Sequence, residues 1–445
     1  MSFRQHSHYK ESGVKWLGQV PSHWSVRQAR RVFEQRRDAS LSDDEQLSAT
    51  QKYGVVPQKL FMELEDKRVM LALAGLEGFK HVEANDFVIS LRSFEGGIER
   101  STYAGCVSPA YTVLRALCPI VPRFWEFLFK SASYIGALQT MTDGIRDGKN
   151  ISYGQFGALE LPVPDVFEQL AVASFLDRET AKIDVLISEQ GKLIALLVEK
   201  RQATISRALT KGLNPDAPMK NSGLEWLGDV PEHWLVARLG HFATVENGTT
   251  PRRDLSEYWD GGDIPWLASG EVNQTHIYEA AEFITAQALS DCSLRMLPVG
   301  TVVIGMIGQG KTRGMAAILH IAATINQNLA AICPGPKIHG TYLLYIFNVV
   351  YEWLREAGRG GNQAAMNCQI LSALRIPLPP LNEQIEIAGH IDHKLEKMQS
   401  LSREAEKSIA LLNERRSALI SAAVTGNIDV RQAVQQEQAL LQEAA

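Results

Sequence analysis

The stretch KESGVKWLGQVPSHW at residues 10–24 returns as KNSGLEWLGDVPEHW at residues 220–234, with ten of the fifteen positions identical. Two shorter blocks also repeat, at an offset of 215 residues: PVP and EQ at 162–164 and 168–169, then PLP and EQ at 377–379 and 383–384. Repetition at a nearly constant offset indicates a tandem duplication of about half the chain. We therefore expect two copies of one functional part.

Composition places the chain among ordinary globular proteins. It has 445 residues, of which 45% are hydrophobic and 21% charged, with a formal net charge of −5. This charge disfavours a free-standing, non-specific nucleic-acid binder, but it leaves room for a local basic face. No apolar run approaches the roughly 20 residues of a membrane helix, and the first residues lack the apolar core of an export signal. The five scattered cysteines include no CxxC pair, which is typical of a reducing cytoplasm.

Two long helices are predicted, at residues 166–209 and 381–424. Neither stretch contains proline, and apolar residues recur in both at helical spacing. The pairs Leu186/Leu193 and Leu412/Leu419, seven apart, predict a coiled-coil seam. Two like helices of one chain can bury these stripes against each other, which favours an antiparallel pair. A proline-rich segment precedes each helix and fixes its start, and glycine follows each helix.

Between the repeated blocks lie stretches of about 130 residues with β-like signals. FVISL at 87–91 and VVIGM at 302–306 share the offset of 215, read as strands and run into glycine-bearing loops. Elsewhere the two copies share little sequence. The repeated blocks, which we call the frame, are therefore duplicated, whereas the β-rich stretches between them differ. We predict an α+β fold with five parts: β-rich domains at 1–165 and 213–380, long helices at 166–212 and 381–427, and a polar tail at 428–445.

This order of blocks, twice over, resembles the specificity subunit of type I restriction–modification enzymes. DIPWLASG at 263–270, GTVVIGMIGQGKTRG at 300–314 and GCVSPAY at 105–111 support the resemblance, which covers nearly the whole chain. Two departures are Pro164-Asp165, where the second copy has Pro379-Pro380, and the lack of a first-copy counterpart to IPWL at 264–267.

The resemblance implies that the β-rich domains are target recognition domains, each reading half of a split sequence in double-stranded DNA. The two helices would form an antiparallel, coiled-coil-like spacer with a pseudo-twofold relation between the halves, and would dock the modification subunits. Those methyltransferase subunits would carry S-adenosylmethionine, and a separate restriction/translocase subunit would use ATP and Mg²⁺. The chain itself would be a cytoplasmic, non-catalytic subunit with no cofactor, metal or membrane contact.

Candidate DNA contacts are basic and amide side chains in glycine-bearing loops and turns, although such side chains also occur in ordinary solvated loops. Arg and Lys suit phosphates, Arg suits guanine, and Asn and Gln suit adenine in the major groove. The candidates are Arg92, Arg100, Arg146, Lys149, Arg252, Arg253, Gln309, Lys311, Arg313, Arg359, Asn362 and Gln363.

Other functions remain open at this point. GMIGQGKT at 305–312 matches the phosphate-loop pattern, with Lys311 for phosphates and Thr312 for Mg²⁺. The first copy has no matching Lys-Thr, and Gly314 lies where a helix should start, so we favour a glycine-rich hairpin or loop. The alternatives are a nucleotide-binding enzyme and a scaffold that joins partners without reading DNA.

Three further motifs are interpreted structurally. SPAY at 108–111 lacks the acidic or amide residue of an adenine methyltransferase motif and predicts a buried turn. His390 and His393 lack an evident third metal ligand and predict an exposed or interfacial helix face. His23 and His233 each precede a repeated tryptophan, which favours structural packing over catalysis.

Overall fold

The structure is a computed structural model that describes residues 4–65, 78–140, 151–307, 311–357 and 366–431. The chain divides into a first unit, Met1–Gly191 with Glu406–Ala445, and a second unit, Lys192–Ala405. Helices and strands occur in both units, which confirms the mixed character of the predicted fold. None of the helices in the described part of the chain combines the length and apolar character that a membrane span requires.

The first unit is built on a four-stranded antiparallel sheet in the order β4-β11-β8-β9. Its strands are β1 (Tyr9–Glu11), β2 (Gln19–Pro21), β3 (Ser25–Gln28), β4 (Phe33–Arg36), β5 (Leu47–Thr50), β6 (Gly54–Pro57), β7 (Lys80–Val82), β8 (Phe87–Ile89), β9 (Glu99–Arg100), β10 (Gly105–Val107), β11 (Thr112–Ala116) and β12 (Glu160–Val163). The helices that begin in it are α1 (Gln58–Glu65), α2 (Ser93–Gly96), α3 (Pro122–Lys130), α4 (Ala132–Thr140), α5 (Tyr153–Ala158) and α6 (Val166–Lys211), with a 3₁₀ turn at Ala29–Arg31.

The second unit has a five-stranded sheet in the order β16-β23-β20-β21-β18 and a three-stranded sheet in the order β19-β17-β22. Its strands are β13 (Met219–Asn221), β14 (Asp229–Pro231), β15 (Leu235–Arg238), β16 (Ala243–Asn247), β17 (Ile264–Leu267), β18 (His276–Ile277), β19 (Glu282–Ile284), β20 (Val302–Gly305), β21 (Ala316–Leu319), β22 (Thr324–Ile325), β23 (Leu329–Pro334) and β24 (Arg375–Leu378). The helices that begin in it are α7 (Ala286–Asp291), α8 (Gly340–Val349), α9 (Tyr351–Ala357), α10 (Cys368–Ala373) and α11 (Leu381–Val424), with 3₁₀ turns at Leu239–His241, Ser256–Tyr258 and Ser269–Asn273.

The sequence duplication is also present in the order of the elements. The hairpin β1–β2 corresponds to β13–β14, and the antiparallel pair β3/β12 corresponds to β15/β24. The three strands β4-β11-β8 correspond to β16-β23-β20, and α3, α4 and α5 correspond to α8, α9 and α10. The remaining strands differ between the units: β5, β6, β7, β9 and β10 in the first, and β17, β18, β19, β21 and β22 in the second. The largest sheet has four strands in the first unit and five in the second.

Aromatic packing fills the core of the first unit. Phe33 lies against Phe87, Trp125 and Phe129, with ring centroids 5.6, 5.0 and 5.5 Å away. The pairs with Phe87 and Trp125 are edge-to-face, and such pairs stabilise a core beyond the area that they bury. Val88, between Phe87 and Ile89 on β8, points to a second apolar cluster on the other face of the sheet. A strand buried on both faces explains why this stretch is a continuous apolar run.

The starts of the long helices explain one departure between the two copies. The Asp165 carboxylate accepts a hydrogen bond of 2.8 Å from the backbone N–H of Glu168, as a helix N-cap does. Pro380 stands at the equivalent place before α11, where proline has no N–H to leave unpaired and its φ suits a helix start. Both residues therefore start a helix, by different means.

The two long helices contact each other in antiparallel fashion within each unit. In the first unit Asp184 on α6 pairs with Arg416 on α11 at 3.1 Å, and Ile183 shares a core cluster with Leu419. In the second unit Leu197 on α6 and Met398 on α11 line one groove. Each helix begins in one unit and ends in the other.

The predicted coiled-coil seam through Leu186 and Leu193 is wrong. These side chains are 50% and 39% exposed, whereas Ile183 and Leu197 are buried and Ile187 is half-buried. Leu186 and Leu193 each precede a residue of the buried stripe by one position, and one position is a rotation of about 100° around the helix axis. The other predicted pair is on the buried face: Leu419 belongs to the core cluster of the first unit, and Leu412 packs against that cluster. Spacing by seven residues therefore selected the wrong face of α6 and the buried face of α11.

Candidate functional site

Each unit contains the same polar contact at the repeated His-Trp sequence, with a buried glutamate in the first unit and a partly exposed one in the second. In the first unit, Oε2 of Glu168 accepts hydrogen bonds of 2.8 Å from Trp24 Nε1 and from His23 Nε2. In the second, Glu383 is bonded to Trp234 Nε1 at 3.0 Å and to His233 Nε2 at 2.8 Å. Both histidines therefore contact the start of a long helix, which agrees with the predicted structural role of the repeated His-Trp sequence.

The glutamine after each of these glutamates fixes the same helix start to a neighbouring element. The amide oxygen of Gln169 accepts from Trp125 Nε1 at 3.1 Å, and its amide N–H donates to the carbonyl of Pro164 at 2.9 Å. Gln384 accepts from the backbone N–H of His339 and donates to the carbonyl of Pro379, both at 2.9 Å. The repeated Glu-Gln pair therefore connects the repeated segments, and these contacts are structural.

Three loops of the second unit meet at one edge of its sheets, which we call the loop edge: residues 248–254, 326–328 and the described part of 306–314. The backbone N–H of Thr249 donates to the carbonyl of Ile325 at 3.1 Å, and the Thr250 hydroxyl donates to Oε1 of Gln327. The backbone N–H of Met306 donates to the carbonyl of Asn328 at 2.9 Å. Hydroxyl and amide groups of this kind suit hydrogen bonding to DNA.

Arg252 and Arg253 lie in the first loop of this edge, and both have partners in the protein. The Arg253 guanidinium lies 3.9 Å from the ring centre of Trp259 and 4.9 Å from that of Trp266, and it forms an ion pair with Glu282. Arg252 pairs with Asp254 at 2.6 Å, but both of these side chains are mainly exposed. Arg253 therefore braces the loop, whereas Arg252 stays at the surface.

Lys311 and Arg313 lie in the turn after β20, which α9 holds in place. Tyr351 donates its hydroxyl to the carbonyl of Lys311 at 2.7 Å, and Arg313 donates to the carbonyl of Arg355 at 3.2 Å. The Lys311 side chain is exposed. The backbone is thus fixed while the ammonium group of Lys311 is open to solvent.

The structure supports the hairpin and contradicts the phosphate-loop alternative. β20 pairs antiparallel with β21, with Val302 opposite Ile318 and Ile304 opposite Ala316. A phosphate loop requires a helix directly after its Lys-Thr, because the helix N-terminus helps to bind the phosphates. Here Thr312 is followed by a turn and then by a strand.

The corresponding edge of the first unit has a short helix where the second unit has the β20–β21 hairpin. The segment after β8, predicted as a loop, contains the short helix α2, which Arg92 precedes as an exposed residue. Gln139 at the end of α4 donates to the carbonyl of Phe94 at 3.0 Å, much as α9 contacts the turn of Lys311. Arg100 lies on β9 in an ion pair of 3.0 Å with Glu126 and is only 20% exposed, so it is engaged within the unit.

Half of the predicted DNA contacts fall outside the described residues: Arg146, Lys149, Gln309, Arg359, Asn362 and Gln363. The segments that contain five of them directly follow α4 or α9 in the sequence, the helices that contact the two edges. Sequence reasoning missed Thr250 and Gln327, which meet at the loop edge. The polar run NQN at 326–328 between two apolar strands was the available signal.

The motif at 108–111 forms an exposed turn between β10 and β11. Pro109 and Ala110 are exposed, so the prediction of a buried turn is wrong. The backbone N–H of Tyr111 donates to the carbonyl of Ser108 at 3.0 Å, which closes the turn. The exposed turn places its polar backbone groups in water, where they need no buried partner.

Comparison with known proteins identifies the class of this architecture. Residues 231–408 match the family described as Type I restriction modification DNA specificity domain. That region contains the core of the second unit, including its loop edge. This part of the chain is therefore similar to the DNA specificity domains of that family.

Relatives extend this likeness over the rest of the chain. The type I restriction enzyme MjaIX specificity subunit of Methanocaldococcus jannaschii is 32% identical over 36% of this chain and 38% of its own length. The putative type I restriction enzyme MjaX specificity subunit of the same organism is 22% identical over 95% of this chain and 98% of its own length. The resemblance predicted from the sequence is confirmed: the chain is related to type I restriction enzyme specificity subunits, although it spans well under half of the first of these relatives.

A solved structure shares the fold. The crystal structure of the HsdS subunit from Thermoanaerobacter tengcongensis superposes with a TM-score of 0.60. The match covers 92% of this chain and 98% of that one at 18% identity. At this identity the likeness shows the fold alone.

Proposed function

We propose that this chain is the DNA-specificity subunit of a type I restriction–modification complex and reads a bipartite site with its two units. The observation that carries this proposal is a contrast. The frame contacts are the same in both units, whereas the loop edge of the second unit and the corresponding edge of the first unit have different structures. Glu168 and Glu383 make the same contacts in their units, whereas α2 stands on one edge and the β20–β21 hairpin on the other. Two different readers on one frame suit a target with two different halves.

The long helices connect the two readers covalently. A protein that reads two half-sites on one duplex needs its readers at a fixed separation. We propose that α6 and α11 set the length of the non-specific gap. Because the net charge is −5, we expect partner subunits to supply part of the grip on phosphates.

The helices also provide surfaces for partners. Leu186 in the first unit and Leu196 and Val198 in the second are 50%, 60% and 65% exposed on α6. A groove of about 990 Å³ in the second unit is lined by Lys200, Arg207, Lys211, Lys394 and Lys397, and none of these forms an ion pair within the described part of the chain. We propose that the modification subunits dock on these helices.

In this proposal the chain is non-catalytic. Methyl transfer and its S-adenosylmethionine belong to the modification subunits, and ATP and Mg²⁺ belong to the restriction subunit. The polar side chains of the repeated contact hydrogen-bond to one another within each unit, and the strands on either side of Lys311 form an antiparallel hairpin. This chain selects the DNA on which its partners act.

The test is a map of methylated adenines. The chain is co-expressed with its modification subunit in a host without DNA methylation, and N6-methyladenine is located by sequencing. We expect one split motif with a fixed gap, and exchange of residues 1–165 for those of a relative should change one half only. A stable complex that binds DNA regardless of sequence would contradict the proposal and favour the scaffold alternative.

A point substitution tests the loop edge directly. We expect Lys311→Ala to weaken DNA binding by the complex for all sequences and to lower the slope of log K against log salt by about one. Lys220→Ala, on the hairpin β13–β14, is the control and should leave the slope unchanged. Arg253→Ala should instead lower the stability of the second unit, because Trp259, Trp266 and Glu282 lose their partner. A salt slope unaffected by Lys311→Ala would remove this residue from the interface.

A further inference from the structure

We propose that the first unit binds a divalent transition metal ion, with Zn²⁺ as the test ion, through His6, His23 and Glu168. One nitrogen of each histidine and one carboxylate oxygen lie within 4.8 Å of one another. His6 and Glu168 are buried, at 7% and 5% exposure, whereas the His23 side chain is 40% exposed. The three donors therefore form a cluster with one side open to solvent.

The donor set suits this chemistry. Two imidazoles and one carboxylate are a common ligand set for Zn²⁺ and for other first-row metals, with water at the open position. His23 Nε2 and Glu168 Oε2 are now joined by a hydrogen bond of 2.8 Å. Metal binding would replace the shared proton and widen this separation by about half an ångström, since ligands at about 2 Å from a tetrahedral ion lie about 3.3 Å apart. Exposed His23 has room for that movement.

The surroundings hold the buried ligands in place. Trp24 Nε1 donates to Glu168 Oε2, and Nδ1 of His6 lies 3.8 Å from the Asp429 carboxylate. A carboxylate beside a metal-binding histidine is a frequent second-layer partner. Arg431 also reaches this cluster: its guanidinium donates to Nδ1 of His6 at 3.3 Å, lies 3.9 Å from the Glu168 carboxylate and pairs with Asp429 at 2.7 Å. Metal binding through Nε2 of His6 would place the ring proton on Nδ1, so Arg431 would have to release His6 and keep its ion pair with Asp429.

The second unit supplies a natural comparison. It has the same pair, His233 with Glu383, but the offset of 210 places Asp216 where the first unit has His6. The shared frame thus forms with one histidine, and the second histidine is particular to the first unit. We therefore expect one metal site in the full chain.

The experiment is a titration of the full-length chain, freed of metal with a chelator, with Zn²⁺ by calorimetry and with Co²⁺ by visible absorption. We expect one equivalent with low-micromolar or tighter affinity. His6→Asn should weaken binding by more than about a hundredfold, since even second-layer partners contribute about ten- to a hundredfold. His233→Asn, the matched control in the second unit, should leave the affinity unchanged.

Two further variants keep the outcome clear. His23→Asn should also lose binding, while thermal unfolding checks that each variant is folded. His276 and His320 lie 3.0 Å apart in the second unit, so His276→Asn tests whether that pair binds the ion instead. Absence of binding, or binding that His6→Asn leaves intact, would overturn the proposal without affecting the DNA-reading function.

Discussion

Gly426→Ala is expected to lower the free energy of unfolding by about 2 to 5 kcal/mol. Gly426 follows α11 with a φ of +77°, and a Cβ atom there would lie 2.4 Å from Cδ of Pro21 and 3.2 Å from Cη2 of Trp24. An L side chain at such a φ costs about 1 to 2 kcal/mol, and overpacking of a tight contact costs about 1 to 3 more. Proline and a buried tryptophan have little freedom to move away.

Two glycines in the same chain provide graded controls for this substitution. At Gly212, with a φ of +68°, a Cβ would approach Cζ2 of Trp234 only to 3.1 Å, so Gly212→Ala should destabilise less. Gly191 lies inside α6 with no atom within 4 Å of its Cβ position, and Gly191→Ala should stabilise by about 1 kcal/mol. Urea unfolding followed by circular dichroism measures all three. Equal effects of Gly426→Ala and Gly191→Ala would contradict the close packing on Pro21.

This packing explains why the repeated blocks are repeated. In the first unit Trp24 contacts both the start of α6, through Glu168, and the end of α11, at Gly426. In the second unit Trp234 likewise contacts the start of α11 and the end of α6, at Gly212. The blocks that recur in the sequence are the residues that touch one another in each unit. The same contact is needed in both units. This need accounts for the identical residues in the two copies, although these residues lie far apart within each copy.

Local patterns in the sequence were sufficient to predict the regular elements. Absence of proline and a helical period located α6 and α11 within two residues, and short apolar runs at a constant offset located β8 and β20. These signals are local, because each helix or strand carries its own periodicity. The short helix α2 escaped prediction since four residues carry no helical period.

The candidate site depended on contacts that no local pattern reveals. Arg253 and Arg100 read as free basic residues, but their partners Glu282 and Glu126 stand 29 and 26 positions away in the sequence. The loop edge arises because β16, β23 and β20 are neighbours in one sheet, an order that composition and spacing leave open. Which basic side chains are available to DNA is therefore a tertiary property.

Glu99→Gln is expected to remove a large part of the pH dependence of stability in the first unit. Glu99 on β9 is 2% exposed, and burial raises the pKa of its carboxyl to about 7, although Lys130 at 2.6 Å opposes the shift. A carboxyl in the unfolded chain titrates near 4.5, so the folded state binds this proton more tightly. The tighter binding of this proton therefore stabilises the folded state fully below about pH 4.5. This stabilisation falls as the pH rises towards about 7, and above that pH the free energy of unfolding no longer changes with Glu99. The full change is about 3 kcal/mol, from about 1.4 kcal/mol per unit of pKa.

A neutral glutamine resembles the protonated acid in shape, so the variant should have nearly the wild-type stability at about pH 5 and should be the more stable protein at about pH 8. This gain is already net of the ion pair with Lys130, which opposes the rise of the Glu99 pKa. Lys130 keeps its hydrogen bond of 2.9 Å to the carbonyl of Gln51. Glu34→Gln, which removes an exposed carboxylate paired with Arg115 on the same sheet, controls for the change in net charge. Urea unfolding of the three proteins at both pH values measures the difference. A Glu99→Gln protein destabilised equally at both pH values would mean that the ion pair with Lys130 outweighs the burial of the carboxylate.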